Sequence, residues 1–111
     1  NNAVMTLASF FNTNMTGARI HGSDLDFSSL NGADLTGADL LTSDLSHASL
    51  ACLPEIGCTN LTNAKLPAAN LREANLRGAT VTGADFTGAY LDFATWIDGR
   101  ICEYDSYGGC R

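Results

Sequence analysis

An apolar residue returns at every fifth position for almost the whole chain, and no other feature constrains the fold as tightly. Written in fives from Ala3, the first ten units centre on Met5, Phe10, Met15, Ile20, Leu25, Leu30, Leu35, Leu40, Leu45 and Leu50. Leu53 is then left over. From Pro54 the phase resumes, with Ile56, Leu61, Leu66, Leu71, Leu76, Val81, Phe86, Leu91, Trp96 and Ile101 at the centres. Two residues before each centre the side chain is small, most often alanine, and Pro54 is the one rigid exception. The repeats therefore run over 3–52 and 54–103, with one inserted residue at 53 and a non-repeating cap over 104–111. At 111 residues the chain reads as one domain.

A period of five excludes the common alternatives. Amphipathic helices space apolar residues three, four and seven apart, and a simple strand alternates with period two. Inside each unit the alternation does hold over three residues: small side chain inward, next outward, central apolar side chain inward. The last two positions are rich in Gly, Thr, Asn, Asp and Ser, which favour turns. Each five is thus a short strand plus a corner, and the chain winds around a narrow apolar axis. Such a design explains a charged content of only 16 %, against roughly 25 % in ordinary domains. No apolar run approaches the ~18 residues of a membrane-spanning helix. Twelve acidic against six basic residues argue against nucleic-acid binding, which uses basic stripes.

Units such as Ala33-Asp34-Leu35-Thr36-Gly37, Ala69-Asn70-Leu71-Arg72-Glu73 and Ala84-Asp85-Phe86-Thr87-Gly88 resemble the A(D/N)LXX signature of pentapeptide-repeat proteins. The resemblance covers nearly the whole chain. It implies an all-β fold, a right-handed quadrilateral parallel β-helix with four units per coil and hence about five coils for the twenty units. On that geometry one ladder of central residues reads Met5, Leu25, Leu45, Leu66, Phe86, and another Met15, Leu35, Ile56, Leu76, Trp96.

Four cysteines suggest two disulfides, and sequence alone allows three pairings. With the coil geometry that the resemblance implies, mixed pairings cross two coils, about 10 Å, beyond the reach of a disulfide. The expected pairs are Cys52–Cys58, clamping the insertion, and Cys102–Cys110, pinning the tail. Disulfides imply an oxidising compartment. The start Asn1-Asn2-Ala3 shows no initiating Met or positive leader. The chain is therefore expected to be a mature extracytoplasmic protein of a periplasm, thylakoid lumen or cell exterior. The segment Trp96–Cys102 followed by Gly-Gly-Cys is similar to the closing segment of exported cyanobacterial members.

Candidate chemistry is sparse. Asp24 and Asp44 are expected to stack on one face, Asp34 and Glu55 on another, with Asp39 on a third. Paired carboxylates can serve acid–base chemistry or hold a cation. The plainer reading is that Asp or Asn at the second position of a unit bonds to turn backbone. His21 and His47 read as surface residues. No catalytic, cofactor or metal site is expected. Asn14-Met15-Thr16 and Asn60-Leu61-Thr62 match glycosylation sequons at the frequency chance gives. Outward apolar residues are the better lead: Leu7 and Phe27 at one corner above His47, with Phe11, Tyr90 and Phe93 also outside, form a candidate interaction surface.

The leading reading is a non-enzymatic structural or protein-interaction module with a protein partner of unknown identity. The resemblance also implies an alternative, a DNA-mimicking acidic β-helix that binds DNA gyrase. Residues 1–53 carry one base and five acids, and the remainder five and seven. Lys65, Arg72, Arg77 and Arg100 interrupt that acidic surface. A hydrolase using surface carboxylates is a third, minor reading. The open ends of such a helix also allow end-to-end self-association.

Overall fold

Each unit spends three residues crossing a face and two turning a corner. The computed structural model describes residues 3–111, so Asn1 and Asn2 of the expected 1–111 domain lie outside the described residues. Parallel bridges join second positions twenty residues apart, as in Val4 to Asp24 to Asp44 and Ser9 to Ser29 to Ser49. Asn14 to Asp34 and Arg19 to Asp39 follow in the same way, so four units close one coil. Faces 1 to 4 are numbered in that order, and the fold is a four-sided parallel β-helix. Among the described residues no helix is long and apolar enough to cross a membrane.

Backbone hydrogen bonding explains the composition of the unit. The central amide donates to the next coil, as Leu25 does to the Asp44 carbonyl at 2.7 Å. The fifth does likewise (Phe27 to Ser46, 3.0 Å), and the second donates to the coil before (Asp24 to Ala3, 2.8 Å). The first turns back onto the preceding centre (Ala8 to Met5, 3.0 Å). The fourth amide is left without a backbone acceptor, and a bare N–H is costly where water is excluded. An Asp or Asn at position two supplies the missing acceptor. Asp24, Asp34, Asp39, Asp44, Asn60 and Asn70 each accept from the amide two residues on, at 3.0–3.2 Å. Where position two is Lys65, which cannot accept, position four is Pro67, which has no N–H to satisfy.

The axis is dry. Leu25, Leu35, Leu40, Leu45, Leu61, Leu66, Leu71, Leu76 and Leu91 are completely buried, and alanines at position one close the gaps between them. Position five turns the corner in the left-handed region, with φ of 68° at Gly17, 67° at Gly37 and 57° at Asn63. Gly and Asn tolerate that conformation best.

The second half of the stack departs from the expected register. Asp34 bridges Asn60, Asp39 bridges Lys65, Asp44 bridges Asn70 and Ser49 bridges Asn75. Leu45 therefore lies under Leu71 rather than Leu66, and Leu35 under Leu61 rather than Ile56. Residues 53–58, not Leu53 alone, stand outside the coils as an excursion closed by an antiparallel Leu53–Gly57 bridge. Ile56 is only half-buried, and Glu55 does not stack on Asp34. The physical reason is Pro54. Within a run of units position one donates its amide to the preceding centre, and proline has no amide hydrogen to donate.

The last unit also departs. The chain reverses through Asp98 and Gly99, and Ile101 bridges Thr95 antiparallel, so Ile101 is 59 % exposed. Cys102 faces inward instead and is buried. The cap thus begins at the reversal, ahead of residue 104. Its strands close the last coil: Leu91 donates to Ser106, Phe93 to Cys102, and Gly108 back to Ala89, at 2.7–3.1 Å. The disulfides are Cys52–Cys58 and Cys102–Cys110.

Candidate functional site

One corner differs from the other three. Between faces 1 and 2 the left-handed positions are occupied, in stacking order, by Leu7, Phe27, His47, Glu73 and Phe93, with φ between 59° and 63°. The next corner holds Asn12, Gly32 and Gly78; the third Gly17, Gly37, Asn63 and Gly83; the fourth Gly22, Thr42, Ala68 and Gly88. A bulky residue at positive φ costs roughly 1–2 kcal/mol. Five of them in one column impose a cost that glycine would remove.

These side chains line one outer column, a ridge along the corner. Phe27 lies flat on the His47 ring, with centroids 4.4 Å apart and planes 5° from parallel. His47 Nε2 reaches Glu73 Oε2 at 3.0 Å, and Nδ1 reaches Asp26 Oδ1 at 3.3 Å. Phe93 at the far end meets Tyr104 of the cap, with centroids 6.3 Å apart. Leu7 is 75 % exposed, and Phe27 and Phe93 are each 50 % exposed. Carboxylates on both sides of the imidazole, with Phe27 stacked on its face, orient His47 at the middle of the column.

Of the residues singled out in the sequence, the structure brings Leu7, Phe27 and Phe93 into this column. Phe11 is exposed at the corner between faces 2 and 3, away from the ridge. Tyr90 points outward from face 1 but is half-covered. The cap residue Tyr107 packs edge-on at 5.3 Å, and the Arg72 guanidinium lies 4.3 Å above the Tyr90 ring while its Nε faces Asp92 at 3.7 Å. Glu73, Tyr104 and Tyr107 escaped the sequence reading. Glu73 was hidden by the register, which would have set Ala68 next to His47. The two tyrosines lie in a tail without a repeat to place them.

The carboxylates have mostly structural partners. Asp24 and Asp44 do stack on face 1, each accepting the amide two residues on. Asp34 and Asp85 also accept the hydroxyls of Thr36 and Thr87, and those bonds, followed by the amides of the same threonines, hold both carboxyls below their ordinary range. Asn14 and Asn60 of the sequons cap turns in the same way. Among the described residues no group of three or more His, Cys, Asp or Glu is placed to hold a metal ion.

Comparison with known proteins agrees with this architecture. The family model of pentapeptide repeats matches residues 1–26, 23–52 and 58–92 in eight copies, leaving out most of the excursion. A solved pentapeptide repeat protein from Nostoc PCC 7120 is 36 % identical over 78 % of this chain and 66 % of its own, with a TM-score of 0.71. A pentapeptide repeat protein of the Arabidopsis thaliana thylakoid lumen is 26 % identical over 82 % of this chain and 61 % of its own, with a TM-score of 0.62. QnrB1, a plasmid-mediated fluoroquinolone resistance protein, is 22 % identical over 75 % of this chain and 40 % of its own, at a TM-score of 0.55, a likeness of fold alone. The chain spans less than two thirds of the length of these solved structures. No curated protein matches by sequence.

Proposed function

This chain belongs to the pentapeptide repeat family, and on that premise we propose that it is a non-enzymatic protein-interaction module of an extracytoplasmic compartment. The observation that carries the reading is the Leu7–Phe27–His47–Glu73–Phe93 ridge. Side chains that the backbone disfavours persist where something other than stability selects them. Exposed large apolar groups gathered on one edge, here Leu7, Phe27 and Phe93, are an ordinary mark of a protein contact. Two disulfides and the likeness to a thylakoid-lumen protein support an oxidising compartment. The test is capture of a partner from the native compartment by the wild-type chain and by Phe27→Gly/Phe93→Gly. A partner lost by the folded variant is the expected result; equal recovery by both would overturn the reading.

A DNA-mimicking module directed at gyrase is the second reading, favoured by one observation. Asp24 and Asp44 stack on face 1, and Asp26 and Asp92 stand at the corner that ends it. Against it, Arg72 stands among them, and face 4 alternates Arg19, Asp39, Lys65 and Asp85. A gyrase supercoiling assay separates the two: inhibition or protection by the native protein would favour the mimic.

A further inference from the structure

We infer that Cys52–Cys58 is a thiol–disulfide exchange site, reducible in the folded protein, whereas Cys102–Cys110 is a structural clasp. The two bonds close similar sequence separations, six and eight residues, so chain entropy alone does not separate them. Their surroundings do. Cys52 and Cys58 are both exposed. Gly78, stacked next to Cys52 in the following coil, has no side chain to cover it; a Cβ there would stand 2.7 Å from the cysteine's own. Cys102, by contrast, is 1 % exposed and packs within the apolar core. Exchange begins with a thiolate reaching a disulfide sulfur, and exposed disulfides carry more oxidising potentials than buried ones, so both access and poise favour reduction of Cys52–Cys58 first.

Nothing in the coils depends on the exposed bond. The Cys52 amide donates to Arg77 at 2.8 Å, and Thr59 Oγ1 donates to the Leu30 carbonyl at 2.8 Å, so the chain is anchored on both sides of the excursion. The excursion closes itself, Leu53 donating to Gly57 at 3.0 Å and Gly57 to Leu53 at 2.9 Å. Removing the clasp is different, because Cys102 is part of the strand that covers Phe93 and Ala94. The reaction requires a dithiol, small or protein-borne. Its first thiolate bonds to one cysteine sulfur and expels the other as thiolate. Its second thiol then displaces the remaining cysteine, so the dithiol leaves oxidised to its disulfide. Cys52 and Cys58 keep the two electrons and take up two protons. Both redox forms stay folded, and only the excursion, whose Ile56 lies against the Gly32 corner, changes its constraint.

The experiment holds the full oxidised chain in a graded series of reduced-to-oxidised dithiothreitol buffers, alkylates free thiols, and maps the labelled peptides. At the mildest reducing ratios Cys52 and Cys58 are expected to be labelled about tenfold more than Cys102 and Cys110, reversibly on reoxidation. Circular dichroism of the half-reduced protein should show the native spectrum. A common midpoint for both pairs, earlier reduction of Cys102–Cys110, or loss of structure when Cys52–Cys58 opens would each overturn the assignment. Because these readings use the wild-type chain, the result does not depend on whether Cys52→Ser/Cys58→Ser folds. It is also independent of partner binding at the ridge.

Discussion

At the residue scale, the second and fifth positions of the unit decide most of what is specific to this chain. Asn60 accepts both the amide and the hydroxyl of Thr62, at 3.0 and 2.6 Å. Asn60→Ala leaves that amide without an acceptor and should lower stability by about 1 kcal/mol, read as a shifted urea midpoint at unchanged slope. Asp34 and Asp85 make the same bonds as carboxylates, and their pKa values are depressed in the fold. A depressed value means that their contribution is fully present above the unfolded carboxylate pKa, ~3.9, and disappears as pH falls through the lower folded one. The melting temperature should be flat from neutrality down to about pH 4 and then fall, and Asp34→Asn/Asp85→Asn should flatten that acid limb. Position five gives the opposite kind of prediction. Leu7 is almost free of packing and sits at φ 63°, so Leu7→Gly should gain about 0.5–1 kcal/mol while weakening partner binding. A destabilised Leu7→Gly protein would remove backbone strain as the reason to see selection in the ridge.

At the scale of the repeat unit, the fold was legible because the sequence repeats its own constraint eighteen times over 3–52 and 59–98. Small-out-apolar triplets dictate strands, and Gly, Asn or Thr pairs dictate corners. Two units imitate the pattern without being part of the stack. Pro54-Glu55-Ile56-Gly57-Cys58 has its apolar centre, but Pro54 cannot make the turn bond that first residues make from Ala8 to Ala48 and from Ala64 to Gly99. Gly99-Arg100-Ile101-Cys102-Glu103 follows a chain reversal that only the tail imposes, so its inward residue is Cys102 instead of Ile101. Counting apolar centres could not expose either case; following the amide of position one exposes the first. The candidate site was legible in part: Leu7 and Phe27 share a corner in both registers, whereas Glu73 joins His47 only once six residues are removed from the stack. The registers separate by mutation. Leu61→Asp and Leu45→Asp place a charge in a fully buried ladder and should abolish cooperative unfolding. Ile56→Asp lies in the excursion and should shift the melting temperature by only a few degrees, on the order of 1 kcal/mol. An Ile56→Asp chain that unfolds as Leu61→Asp does would refute the register.

At the scale of the whole molecule, a parallel β-helix is a stack whose stability comes from neighbouring coils and whose weakness is its ends. The C-terminal end is closed. The tail provides acceptors for the amides of Leu91, Phe93 and Trp96 through Ser106, Cys102 and Arg100, and it donates to Ala89 and Ala94. Inside the tail, Ser106 is fully buried and joins the Glu103 carbonyl to the Arg111 amide, so the closure has a hydrogen-bonded centre besides the disulfide. A chain ending at Asp98 would present those five ladder groups, together with the apolar rims of Leu91, Ala89 and Ala94, as an open parallel edge. Backbone groups of that kind recruit any strand that fits, and the edge that fits best belongs to another copy. The truncated protein should therefore associate end to end, with a light-scattering mass that rises with concentration, while the full chain changes less. Cys102→Ser/Cys110→Ser keeps the strand but loosens it, and should fall between the two. If the truncated chain scatters no more than the whole one, closure of the last coil is not what the tail does, and Tyr104 and Tyr107 would have to be understood through the ridge and the Tyr90 face alone.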